Sequence, residues 1–253
     1  MEAAKEINQL GAKFVILLPP SESKAEHGRP RTKWKSSSGE FGKQFSGARD
    51  ELIRALDKVG GGNAAILGAK NALLDRAKFA NKSLVGAPTL PAFERYSGVV
   101  WKHMDLESMT LAQRAMAVEH IVVISGLLGA VGGADPVPNY RLKMSANLAP
   151  MGTLSRWWHK PLSAVLNKRF SGCVVVDLLP QMHRLAYAPD LEMLGDYLRI
   201  EINEVGGHAG GHDAKAAKGR LARHILDVCV AGANPRGALE TFRDPRFHIS
   251  IET

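Results

Sequence analysis

Cysteine is scarce in this chain: only Cys173 and Cys229 occur among 253 residues. Two cysteines far apart in sequence cannot build a disulfide framework or a zinc motif. Both sit in apolar runs, where a reduced core thiol is expected. No apolar run approaches the ~20 residues that a membrane-spanning helix needs, so no membrane partner is expected. The N-terminus, Met-Glu-Ala-Ala-Lys-Glu, carries no basic n-region, and a cytoplasmic location is the expectation. There is no internal repeat and no heptad. The glycine fingerprint of dinucleotide folds is missing. Val123 stands where a nucleophile elbow needs glycine two residues before Ser125. His208 and His212 lie on a glycine-rich loop and share no helix face. Neither metal nor cofactor is therefore expected.

What the chain does contain is apolar mass and positive charge. Hydrophobic residues make up 45%, enough for a sizeable core, which excludes global disorder. A net charge of +8 favours anionic partners, either DNA or a small anionic ligand. The oligomeric state is left open.

The run Lys13 to Leu18 reads as a buried strand stopped by Pro19 and Pro20. Residues 25–47, rich in Lys, Arg, Ser and Gly, read as a mobile basic loop, and residues 1–12 as a leader. Ala48–Lys58 and Ala64–Lys78 read as two helices around Gly60, Gly61 and Gly62, a helical hairpin within residues 48–79. Leu111–Glu119 reads as a helix feeding the β-branched strand Ile121–Ser125. Residues 135–150 are loop-like. Leu154–Asn167 is helical, with Pro161 kinking or restarting it, and Cys173–Leu178 is a second central strand. Strands are expected at Leu198–Val205 and Phe247–Ile251, on either side of a helix over residues 213–230. The result is a mixed α/β (α+β) fold, one domain over residues 1–253, with a mixed sheet covered by helices.

The segment from His212 to Leu226 carries the sharpest functional signal. At 100° per residue, Leu221, Ala222, Ile225, Leu226 and Cys229 share an apolar face. Lys218 points into that face and Lys215 to its edge. Cations at a helix N-terminus are mildly unfavourable, so these two lysines suggest an anion site, against the plainer reading of a side chain snorkelling to water. Arg220 and Arg223 point the other way, as surface contacts for an anion or DNA. Ser21 and Lys24 follow a buried strand, where α/β sheets place ligands; they would bind an anion or form a lysine-activated serine nucleophile, unless the segment is an ordinary turn. Tyr140 suits a general acid or hydrogen-bond donor, and Arg141 a bidentate anion clamp, unless the segment is a strand with outward cations. The Gly206–His212 loop offers amides for an oxyanion. Gly60, Gly61 and Gly62 would place hairpin amides on a DNA phosphate, although any glycine-turned helical hairpin looks the same. The glycines at 126 and 129 suit close packing. Trp157 and Trp158 read as one core ring and one surface ring.

Six segments in order also resemble the YaaA peroxide-stress family. They are Val15–Lys24, Arg95–Val100, Ile124–Gly129, Tyr140–Met144, Arg156–Trp158 and Lys215–Arg220, together spanning roughly residues 14 to 251. The resemblance implies one α/β domain with a positively charged cleft and a helix-hairpin-helix over Leu52–Leu74. It also implies a role in limiting iron-linked oxidative damage, with DNA binding attributed to the family. Its matching polar positions are Ser21, Lys24, Tyr140, Arg141, Lys215 and Lys218. Departures are His212-Asp213 in place of aromatic character, Gly132-Gly133-Ala134 after Gly129, and the basic 25–47 stretch. They point to a specialised branch, such as a biosynthetic enzyme acting on an anionic or activated small molecule.

Overall fold

The computed structural model describes residues 13–205 and 211–252; the leader expectation for residues 1–12 and most of the Gly206–His212 loop fall outside them. Strand β1 (Phe14–Leu18) is apolar and wholly buried, as a strand covered on both faces must be. The other strands are β2 (Arg29–Lys33), β3 (Pro88–Pro91), β4 (Ile121–Ser125), β5 (Gly129–Gly132), β6 (Pro136–Pro138), β7 (Asn147–Leu148), β8 (Gly152–Thr153), β9 (Val174–Asp177), β10 (Asp196–Glu204) and β11 (Phe247–Glu252). The main sheet has the order β11-β10-β9-β1-β4-β5. Its four inner strands are parallel, with Ile16 beside Ile121 and Val176, and antiparallel strands close both edges. The expected mixed sheet covered by helices is therefore found.

The helices are α1 (Gly42–Lys58), α2 (Ala64–Leu67), α3 (Asn71–Lys82), α4 (Ala92–Arg95), α5 (Val99–Met104), α6 (Leu111–His120), α7 (Leu154–Arg169), α8 (Gln181–Arg184), α9 (His212–Val230) and α10 (Pro235–Thr241). A capping box starts α6: Gln113 N donates to Thr110 Oγ1 at 3.3 Å and Thr110 N to Gln113 Oε1 at 2.7 Å. Helix α7 runs unbroken through Pro161. Trp158 is buried and Trp157 half-buried. Trp158 seats its ring where a Cβ on Gly129 would come within 2.7 Å, and its Nε1 donates to the Gly126 carbonyl at 2.9 Å; these glycines serve close packing.

Three readings of local structure are corrected. Residues 25–47 form β2 and the first turns of α1, anchored by buried Trp34, Phe41 and Phe45, three large rings within a basic, glycine-rich composition. Residues 135–150 carry the short strands β6 and β7. The second hairpin helix is broken: Gly68 takes a left-handed conformation (φ 57°) that ends α2, and α3 starts at Asn71.

The chain passes from β1 to β4 on one side and later to β9 on the other. That makes β1 the point where strand order diverges, and the crevice beyond its carboxyl end is where such sheets hold ligands.

Candidate functional site

A cavity of about 670 Å³ opens at this crevice. Its walls come from the turn after β1, the start of α5, the segment around Tyr140, the α8 turn and the start of α9. Ser21, Lys24, Tyr140, Arg141, Lys215 and Lys218 all line it. Residues 119 positions apart in sequence, Glu22 and Arg141, pair across it. Arg220, Arg223 and the glycines 60–62 are not among its lining residues. Arg220 is tied to Asp244, and Arg223 to Asp227 and the Asp105 carbonyl.

Each polar group is held in a distinct way. The Ser21 hydroxyl donates to the Ser23 carbonyl and accepts from Gly98 N at 2.9 Å. A Cβ on Gly98 would fall 2.8 Å from that of Ser21, so the approach requires glycine. Lys24 Nζ donates to the Ser21 backbone carbonyl at 2.6 Å, not to its hydroxyl; the lysine–serine dyad is not assembled in this geometry. The same amine lies 4.2 Å from the ring centre of Tyr140 and 5.5 Å from that of Tyr96. Burial, then the Arg141 charge, pull the Lys24 pKa down to about 7, against the opposing pull of Glu22.

Behind these rings runs a buried chain of hydroxyls. Ser125 Oγ accepts from Leu127 N at 3.3 Å and Leu128 N at 3.1 Å. Both its lone pairs are then used, so its own hydrogen goes to Tyr140 Oη at 2.7 Å. Tyr140 and Tyr96 hydroxyls are 3.0 Å apart. Burial pushes the Tyr140 phenol up to about 12, so it stays protonated and works as a hydrogen-bonding group.

Arg141 is clamped by Glu22, by the Leu67 carbonyl at 2.9 Å, and through its main chain by buried Asn81. Asn81 accepts from Arg141 N at 2.9 Å and donates to Arg141 O at 2.8 Å and Gly61 O at 2.9 Å. The glycine turn between α1 and α2 is thereby wired to the cavity wall. Gly61 (φ 86°) lies so close to α3 that a Cβ would fall 2.4 Å from the Lys78 carbonyl.

Behind the α8 turn, Asp177 ends β9 with no exposure. It accepts from Leu179 N at 2.7 Å, from Arg184 Nε at 2.8 Å and from the Tyr197 hydroxyl at 2.7 Å. This shapes a turn whose carbonyls meet Lys218: Nζ donates to Leu178 O at 3.0 Å and Leu179 O at 3.3 Å. Burial and the Arg184 charge lower the Lys218 pKa to about 8. His183 also lines the cavity; its Nδ1 is buried with no hydrogen-bond partner among the described residues. Burial, then Lys218, hold it down at about 4, a neutral imidazole at pH 7. Lys215 is exposed at the rim. Among the described residues that line the cavity, Glu22 is the one carboxylate beside the cations Lys24, Arg141, Lys143, Lys215 and Lys218, and it pairs with Arg141 and Lys143.

Asn81, Tyr96, Asp177, Arg184 and His183 are the parts that reading single segments misses. Only Asp177 leaves a local signal, a carboxylate closing a β-branched strand.

The peroxide stress protein YaaA family model matches residues 14–251. A UPF0246 protein of Streptomyces coelicolor is 30% identical over 245 residues, covering 94% of this chain and 93% of its own. A UPF0246 protein of Corynebacterium glutamicum is 31% identical over 160 residues, 60% of this chain and 62% of its own. One of Leptothrix cholodnii is 33% identical over 136 residues, 52% of this chain and 49% of its own.

Proposed function

The chain belongs to the YaaA peroxide stress protein family, and from that premise we propose that its cavity binds a small anionic ligand and acts on it with lysine chemistry. The supporting observation is the pair of half-buried lysines, Lys24 and Lys218, that line one cavity, each with a lowered pKa. A merely structural lysine is seldom buried without a carboxylate. Neither amine has one within ion-pair distance among the described residues, and their nitrogens rest on backbone carbonyls instead. Lys218 and Lys215 beside the start of α9 form the anion-holding end; Lys24, near pH 7 half neutral, is the reactive end. The peroxide-stress role in the family's name fits an enzyme that removes or builds a protective small molecule.

Thermal unfolding with pyrophosphate as probe tests the anion reading. Pyrophosphate at ~100 Kd adds about 3 kcal/mol of stability, and the resulting rise in Tm should vanish in Lys218→Met. No rise in the native chain removes the reading.

A second reading, DNA contact at the hairpin, is favoured by α3: Phe79 is 74% exposed and Leu73 43%, beside exposed Lys70, Arg76 and Lys82. Exposed aromatics and cations together suit stacking and phosphate contacts. Binding should fall steeply with salt and weaken in Phe79→Ala while the pyrophosphate effect persists. Salt-independent affinity would refute it.

A further inference from the structure

We propose that Lys24 is an imine-forming nucleophile, and that the ligand of the cavity is a carbonyl compound carrying a carboxylate or phosphate. The inference rests on the anion-binding reading above and goes beyond it by naming the reacting atom and the substrate class. Four observations carry it. The Lys24 amine stands at the cavity wall. It is flanked by the faces of Tyr140 and Tyr96, and no carboxylate pairs with it among the described residues. It makes one hydrogen bond, to the Ser21 carbonyl at 2.6 Å. Lys218, by contrast, gives two hydrogens to the Leu178 and Leu179 carbonyls and is held as a cation-like donor. The two lysines thus divide into an amine with a free lone pair and a fixed anion-facing group.

The step balances without any further reagent. The lone pair of neutral Lys24 attacks the carbonyl carbon, a C–N bond forms, and the π electrons move to oxygen. Proton transfer from nitrogen to oxygen gives the carbinolamine, which expels water as the C=N bond forms. When the imine nitrogen takes up a proton, its N–H has the Ser21 carbonyl as acceptor, where the amine donated before. The groups acting on Lys24 are Arg141 and Arg95, which favour its neutral form, and Glu22, which opposes them. Desolvation between two rings lowers the share of protonated amine further. The anionic group of the ligand lies toward Lys218 and Lys215, so the carbonyl end points at Lys24.

Borohydride trapping on the full-length chain tests this, with glyoxylate and pyridoxal 5′-phosphate as separate probes and peptide mapping as readout. Reduction should leave a secondary amine on Lys24, with half-maximal labelling near pH 7. At that pH its labelling should exceed, by at least ~tenfold, that of a freely solvated lysine side chain, whose model-peptide value is near 10.4. Lys24→Met should lose the adduct, and excess pyrophosphate or Lys218→Met should reduce it severalfold. A carboxylate ligand is indicated if only glyoxylate labels, a phosphate ligand if only pyridoxal phosphate does. Labelling spread over surface lysines, or none at Lys24, while pyrophosphate still raises Tm, overturns the imine and leaves the anion site standing. A Lys24 adduct indifferent to pyrophosphate and to Lys218→Met overturns the anionic half. Neither adduct nor stabilisation overturns both readings.

Discussion

Replacing Lys24 by Met should stabilise this protein at neutral pH and destabilise it in alkali. In the fold, burial and Arg141 lower the lysine from 10.5 to about 7. Below both values the side chain is charged folded and unfolded, and the folded state bears the full cost of holding the charge. At ~1.4 kcal/mol per factor of ten, that cost is about 5 kcal/mol, an upper bound because the side chain keeps some exposure. As pH rises through about 7 toward 10.5, the folded amine loses its proton first and the cost disappears. Methionine has similar length and no charge, so it removes the cost. It forfeits ~1 kcal/mol for the hydrogen bond to Ser21 and ~1 kcal/mol for the contacts with the two tyrosine faces. The expected balance is a gain of about 3 kcal/mol near pH 6, shrinking with pH and turning into a loss of about 1 kcal/mol above pH ~10, where the neutral amine keeps its hydrogen bond but not the attraction of a cation to the rings. Urea denaturation of both chains at several pH values from 6 to 10.5 measures it. A stability difference that does not change across that range would refute the claim that Lys24 is a charge buried at a cost, and with it the reason for regarding the residue as functional.

Asn81→Ala removes three hydrogen bonds that join the glycine turn to Arg141; at ~1 kcal/mol each it should cost about 3 kcal/mol and lower Tm by roughly 10 °C, read by calorimetry. A loss below ~1 kcal/mol would mean that water replaces the amide. Gly219→Ala should destabilise although alanine is the better helix former by ~1 kcal/mol. Its Cβ would stand 2.2 Å from the Val100 carbonyl, at the contact between α9 and α5; a stabilised variant in a denaturation assay would contradict that packing. Tyr197→Phe deletes one of the two donors on Asp177 Oδ2, so the turn that receives Lys218 should loosen. Pyrophosphate affinity should fall severalfold with the fold intact by circular dichroism; unchanged affinity would show that Arg184 alone holds the turn.

The local sequence was sufficient for features whose cause is local. A run of five buried apolar residues stopped by two prolines announces β1, and a β-branched run announces β4. The 100° repeat from Leu221 to Cys229 places Lys218 on the inward face of α9, where it is found half-buried. Strand ends and helix starts also marked Ser21, Lys24, Lys215 and Lys218 as groups worth watching, because backbone polarity concentrates there. The breaks in local reading have equally physical causes. Trp34, Phe41 and Phe45 turn a basic, glycine-rich stretch into ordered structure through contacts made elsewhere in the chain. The gap at Gly68 depends on a left-handed turn that composition does not reveal. Only the tertiary structure could decide that Ser125 reaches Tyr140, that Asn81 wires the glycine turn to Arg141, and that Asp177 and Arg184 shape the carbonyls under Lys218. Side-chain hydrogen bonds between distant segments have no period and no propensity. They exist because parallel strand order brings the ends of β1, β4 and β9 to one edge, where burial favours a partner for most polar groups, His183 Nδ1 being an exception among the described residues.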